Sequence, residues 1–164
     1  MDLYIIRHAW AAERGDPRWP DDEQRPLTDE GQRRFARMVE KLAQRDFDPQ
    51  SITTSPLVRC RQTAELVRRG VPGHPEIVER DELRPGSDLE GLLAWMIAQG
   101  RHYERIAWVG HAPDVGLLAA ALLGQADECI RFAKGAVAAI RFSALAGVGR
   151  GELRWLVTAR VLGC

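Results

Sequence analysis

The sequence predicts an α/β fold, a mostly parallel central sheet covered by helices on both faces, and three observations carry that reading. Strand-like and helix-like patterns alternate along the whole chain, with no repeat and no low-complexity stretch. Leu3–Ile6 is a continuous apolar, partly β-branched run, the pattern of a strand buried on both sides. The last two runs, Ala136–Phe142 and Glu152–Thr158, are joined by a glycine-containing loop and predict an antiparallel hairpin at the C-terminus.

Each element has its own signal. The polar segment Arg14–Arg25 is long for a plain connection, which marks it as a functional loop. Thr28 is placed to cap a helix on which Phe35, Met38, Val39 and Leu42 share one face. Ser51–Thr54 is a short β-branched strand, and Ser55-Pro56 predicts a helix start, serine at the cap and proline first inside. That helix is expected to run to about Arg69, with Leu57, Ala64 and Val67 inward. Glu76–Val78 reads as a short strand, and Leu89, Leu92, Leu93 and Met96 as a helix ended by Gly100. Arg105–Val109 is a strand leading into Gly110-His111 and a helix from about Asp114 to Leu123. A chain of 164 residues is expected to form one domain, 1–164, with a substantial core.

Composition narrows the function classes. Hydrophobic residues are 45% and charged residues 28%, and 23 Lys+Arg balance 23 Asp+Glu. A net charge of zero argues against a nucleic-acid or anionic-membrane surface, both of which need a basic excess. No apolar run approaches the roughly 18–20 residues of a membrane span. Met1-Asp2 leads straight into a strand pattern, so no signal peptide is expected. The three cysteines, Cys60, Cys129 and Cys164, are widely spaced and form no CxxC, which makes the cytosol the expected compartment.

The chemistry collects at Arg7, His8, Arg59, Glu82 and His111. His8 and His111 each follow the last residue of a strand, Arg59 opens a helix after a strand, and Glu82 lies in a loop after one. Ligands of open α/β sheets bind beyond the carboxyl ends of the strands, so these positions can converge. Two guanidinium groups suit a phosphate, pairing its oxygens in bidentate fashion. An imidazole beside them can attack phosphorus and hold the phosphoryl group covalently. The neighbouring cations are expected to keep His8 neutral, and His111 can donate to the phosphoryl oxygens as charge shifts. His74 and His102 lack such a setting and read as surface residues. The five tryptophans read as core or partly buried packing, except Trp10, which adjoins His8.

"RHA" after the first strand, "LTDEG", "SPLVRCRQT", "DEL" and "VGHAP" occur in that order. Together they resemble the histidine phosphatase superfamily, which includes the cofactor-dependent phosphoglycerate mutases, and the short chain is most similar to the SixA branch of phosphohistidine phosphatases. The resemblance implies a three-layer α/β/α sandwich, with His8 as nucleophile, Arg7 and Arg59 holding phosphate, and His111 completing the pocket. It implies no cofactor and no metal, and a phosphorylated protein or a small phosphate ester as substrate. By the same resemblance Glu82 matches the general acid of mutase-like members, a role less secure in the SixA branch. Ala9 stands where the family usually has glycine. Trp10 replaces a residue that is often polar, which implies a more apolar pocket rim.

Leaving-group chemistry adds a preference. Phosphohistidine departs as imidazole, whose conjugate acid has a reference pKa of roughly 6.5, and needs far less protonation than an alkoxide. Only about twenty residues separate the start of the Arg59 helix from Glu82, too few for a lid domain, and an open pocket suits phosphohistidine on a protein surface. Two alternatives stand beside this reading: a broad phosphomonoesterase acting on small esters, and a phospho-ligand binding module without turnover. A cysteine phosphatase would need C-x5-R, and the sixth residue after Cys60 is Leu66. The Walker and G-x-S-x-G patterns are absent, and four scattered histidines supply no spaced metal-binding pair.

Overall fold

Side chains of the first strand, β1 (Asp2–Arg7), point alternately to the two faces of a sheet, and this alternation sorts them between two cores. Tyr4 and Ile6 enter one apolar cluster, Leu3 and Ile5 the other. The structure, a computed structural model, describes residues 1–125 and 127–164. The remaining elements are α1 (Asp29–Ala43), β2 (Ser51–Thr54), α2 (Val58–Gly70), β3 (Glu76–Glu79) and α3 (Leu89–Gln99), then β4 (Arg105–Gly110), α4 (Asp114–Leu122), β5 (Val137–Arg141) and β6 (Glu152–Val157).

The strands form one six-stranded sheet in the order β3-β2-β4-β1-β5-β6. Neighbours from β3 to β1 are parallel, whereas β5 pairs antiparallel with both β1 and β6. The C-terminal hairpin is therefore present, and the sheet is mixed. Helices α1 and α2 cover one face through Phe35, Met38, Val39, Cys60, Ala64 and Val67. Helices α3 and α4 cover the other through Leu92, Met96, Val115, Leu118 and Leu122. The result is the expected three-layer α/β/α sandwich. Thr28 caps α1 by accepting from the Gly31 N–H at 3.0 Å, and Asp88 caps α3 by accepting from Gly91 N–H at 3.1 Å.

One boundary differs from the sequence expectation, and the difference matters for the site. Helix α2 starts at Val58, after a cap at Leu57 that has no side-chain hydrogen bond. Ser55 is not its cap. The Ser55 N–H donates to the Val109 carbonyl at 3.0 Å, which continues the pairing of β2 with β4. The Ser55 side chain is thereby carried to the end of β4, where its oxygen accepts from the Leu57 N–H at 3.4 Å, just ahead of the helix.

Candidate active site

Register decides which side chains meet. In the parallel pair β1/β4, Arg7 lies opposite Gly110, so His8 and His111 leave adjacent strands at the same level. Alternation places both on the face of Ile6 and Val109, beneath α2. Their ring centroids are 5.5 Å apart with the planes at 59°. Arg59, in the first turn of α2, is 4% exposed, His8 8% and His111 4%, so a cluster of polar groups sits almost wholly under cover. Arg7, one step earlier along β1, points to the opposite face and is half-buried.

His8 is fixed by its own chain. Its Nδ1 lies 2.8 Å from the Ala9 carbonyl, which can only accept, so Nδ1 carries the proton and Nε2 keeps its lone pair. The Ala9 N–H donates to Thr63 Oγ1 at 3.1 Å, and Thr63 in turn donates to the Arg59 carbonyl at 2.7 Å. Helix α2 thus ties the strand exit to the residue bearing the guanidinium. The His8 pKa is pushed down to about 3, by burial first, with the charges of His111, Arg59 and Arg7 adding to it. His8 is therefore neutral, as expected from the sequence, but desolvation is the main cause and the neighbouring cations are secondary.

His111 Nε2 is 2.8 Å from Ser55 Oγ, and the ring rests on Cys60, whose Sγ is 3.5 Å from the same nitrogen. Burial, followed by the Arg59 charge, pushes its pKa down to about 4. The direction of this bond follows the tautomer: where the serine hydroxyl donates to Nε2, Nδ1 bears the ring proton, and where Nε2–H donates to the serine, Nδ1 keeps the lone pair. The Cys60 thiol is pushed up to about 12 by burial, so it is neutral packing and not a second nucleophile.

The two arginines each keep an edge free. Arg7 Nη1 donates to the Phe132 carbonyl at 2.8 Å, and Arg59 Nη1 donates to the Asp22 carbonyl at 2.7 Å. In both, Nε is buried and has no hydrogen-bond partner. Between them lies an open cavity of about 780 Å³ lined by Arg7, His8, Asp22, Arg25, Arg59 and His111 among others. A tetrahedral dianion fits this donor set, and His8, among the lining residues, keeps an unprotonated Nε2. Among the described residues no group of three His, Cys, Asp or Glu side chains could hold a metal ion, and no described helix is long and apolar enough to cross a membrane.

Two sequence expectations are not met. Glu82 does not line the cavity. It sits in a short 3-10 turn, Asp81–Leu83, with its carboxylate held by Arg80, whose Nε donates at 3.0 Å. Arg80 in turn stacks over Trp95 at 4.7 Å, drawing the pair toward α3. Trp10 does not form the rim either: its ring lies under the Arg34 guanidinium at 4.2 Å and packs on the α1/α2 core. The mouth is polar, carrying Glu13, Arg14, Asp114 and Lys134. His74 and His102 are exposed, as expected. Sequence reasoning missed Ser55 as a partner of His111, and it flagged the Arg14–Arg25 loop without identifying Asp22 and Arg25.

The family model for the histidine phosphatase superfamily (branch 1) matches residues 3–139 of this chain. An uncharacterized protein of Picosynechococcus sp. is 35% identical over 147 residues, covering 88% of this chain and 87% of that protein. Among solved structures, the protein histidine phosphatase SixA complexed with tungstate superposes with a TM-score of 0.85 at 25% identity, covering 99% of both chains. The α-ribazole phosphatase of Shigella flexneri shares the fold at 21% identity and a TM-score of 0.70, covering 97% of both chains.

Proposed function

The chain belongs to the histidine phosphatase superfamily, and from that premise we propose that it is a metal-independent phosphatase that forms a phosphohistidine at His8 and acts on phosphohistidine displayed on a protein. The observation that carries the mechanism is the state of His8. It is neutral, held by the Ala9 carbonyl through Nδ1, and set between two guanidinium edges without partners. In the first step the Nε2 lone pair attacks phosphorus, the bond from phosphorus to the leaving nitrogen breaks, and the departing imidazole keeps that electron pair and takes a proton from solvent. In the second, water attacks the phosphohistidine, the P–Nε2 bond breaks with its electron pair returning to Nε2, and the water's proton stays on the inorganic phosphate or passes to solvent. Arg7, Arg59 and His111 hold the equatorial oxygens in both steps, which places fixed donors where charge develops.

The placement of Glu82 supports the substrate class. With its carboxylate held by Arg80 outside the cavity, no acid of that position serves a basic alkoxide, whereas an imidazole leaving group needs little help. The 25% identity to SixA over 99% of both chains points the same way. One observation favours a second reading: Glu13 and Asp114 line the mouth, and either could protonate the oxygen of a small phosphate ester. The three cysteines are unbridged, which fits a reducing cytosol.

The test is to incubate the protein and its His8→Ala variant with a phosphohistidine peptide, quench at alkaline pH and measure intact mass. A transient phosphorylated species in the unmutated protein alone, decaying as phosphate is released, is expected. Phosphate release by His8→Ala at the unmutated rate would overturn the covalent mechanism. Turnover of small esters with none of the peptide would replace the substrate class.

A further inference from the structure

We propose that Asp22 is a positioning residue for the phosphate clamp, holding the outer edge of Arg59 so that its inner edge faces the phosphoryl group; this rests on the phosphatase reading above. A guanidinium has two bidentate edges and cannot present both unless it is rotationally fixed. Here Arg59 Nη1 donates to the backbone carbonyl of Asp22 at 2.7 Å, and Nη2 lies 3.1 Å from Asp22 Oδ2. One residue therefore occupies the Nη1/Nη2 side. What remains is Nε, buried and without a partner, and the second Nη2 hydrogen. That pair is the edge a phosphate would take.

Asp22 is itself held. Arg25 Nε donates to Asp22 Oδ1 at 2.9 Å, while Arg25 Nη1 donates to the Ala12 carbonyl at 2.8 Å. The preceding Asp21 closes the short turn by accepting from the Glu23 N–H at 2.9 Å, and Arg84 pairs with Glu23 from across the mouth. A relay from Arg25 through Asp22 to Arg59 thus fastens the long polar loop to the clamp. Burial alone would raise the Asp22 pKa, but the Arg25 hydrogen bond and the charges of Arg59, Arg25 and Arg14 hold its carboxyl below the usual range. The carboxylate is ionised at neutral pH and its hold on Arg59 is charge-assisted.

A carboxylate on a phosphate-binding arginine could instead act as a competitor that the substrate must displace, and the two roles predict opposite kinetics. If Asp22 positions Arg59, Asp22→Ala lowers kcat by about tenfold to a hundredfold, since a small misplacement near the reacting atoms is costly. KM and the inhibition constant for inorganic phosphate stay level or fall slightly, because a negative charge near the dianion is gone. Asp22→Asn keeps one oxygen, which can still accept from Nη2 only by turning its amide toward Arg25, and should recover part of kcat. In an Arg59→Lys background, Asp22→Ala should have no further effect, the signature of action through Arg59. Should the alanine variant not fold, Asp22→Ser, whose hydroxyl is too short to reach Nη2, serves in its place. An unchanged kcat with a severalfold fall in KM and in the phosphate inhibition constant would identify a competitor and overturn the proposal. Unchanged values of all three would overturn it too, as would an undiminished Asp22→Ala effect in the Arg59→Lys background. An unmutated protein that releases no phosphate from any substrate would count against the phosphatase reading alone. The contact is then read from the Arg59 Nε–H nitrogen shift on titration with inorganic phosphate, which should move in the unmutated protein and not in Asp22→Ala; an identical response in both would overturn the proposal.

Discussion

Lowering the pH should leave both site imidazoles neutral far below the range where histidines ordinarily protonate. An ordinary histidine with a pKa of roughly 6.5 is only about 3% neutral at pH 5. His8, pushed down to about 3, and His111, pushed down to about 4, remain almost wholly neutral there. Nitrogen chemical shifts of labelled histidine, assigned with His8→Asn and His111→Asn variants, report the two rings directly between pH 7.5 and 4.5. The same shifts have a thermodynamic consequence. Between the unfolded pKa and the depressed folded ones, the unfolded chain binds protons that the folded chain does not, so stability rises with pH across this window. The contribution is complete above about pH 7 and is lost as pH falls from 6.5 toward 4. Each imidazole contributes a slope of up to about 1.4 kcal/mol per pH unit. Urea midpoints between pH 6.5 and 5 should therefore fall steeply in the unmutated protein, with about half that slope in His8→Asn. A ring titrating between pH 6 and 7 in the free protein would refute the argument that burial sets the nucleophile's protonation state.

Two further outcomes follow from particular contacts. Glu82→Gln should change kcat/KM on a phosphohistidine peptide by less than about threefold, since a working general acid contributes about 10²–10⁴ and this carboxylate is bound to Arg80 outside the cavity; a hundredfold loss in steady-state assays would show that it reaches the leaving group. Gly116→Ala should destabilise the protein by about 1–3 kcal/mol in urea melts, because the new Cβ would lie 2.1 Å from the Ile130 carbonyl. Relief of that clash shifts the segment whose Phe132 carbonyl holds Arg7 at 2.8 Å, so inhibition by inorganic phosphate should weaken in the same variant.

The sheet and both histidines were legible because they depend on local pattern and on a general rule of α/β sheets. Apolar β-branched runs identified β1 and β4, and the rule that ligands sit beyond carboxyl ends of strands brought His8 and His111 together. The helix boundary at Ser55 was misread for a physical reason. Ser-Pro is a strong capping signal, but the Ser55 N–H bond to the Val109 carbonyl, 54 residues away, holds Ser55 in the sheet, so its oxygen meets the Leu57 N–H ahead of α2 and not a helical N–H; no local pattern contains that contact. Glu82 was misplaced because one arginine two residues earlier captures its carboxylate, and a charged run such as Glu79-Arg80-Asp81-Glu82 does not say which pair forms. Asp22 was hidden among the many charges of the Arg14–Arg25 loop. Only the fold shows that this loop returns over Arg59.

The positions of unsatisfied donors tie the stability of the fold to its chemistry. Five buried side-chain polar atoms lack partners among the described residues, on Arg7, Arg34, Asp48, Arg59 and Trp108. An unsatisfied buried donor costs about 1–3 kcal/mol, so a fold would be expected to avoid gathering two at one cavity. Arg7 Nε and Arg59 Nε are nevertheless the two that belong to residues lining the His8 cavity; the other three residues do not line it. Neither is relieved by the His8 imidazole: its Nδ1 is a donor committed to Ala9, and its Nε2 lone pair, which could accept, makes no hydrogen bond to either Nε. Nor can Asp22 relieve Arg59 Nε, since it already occupies the opposite edge. Under the proposed phosphatase reading, the oxygens of a tetrahedral phosphoryl group in the cavity would accept from the two guanidinium groups while phosphorus meets the His8 Nε2 lone pair.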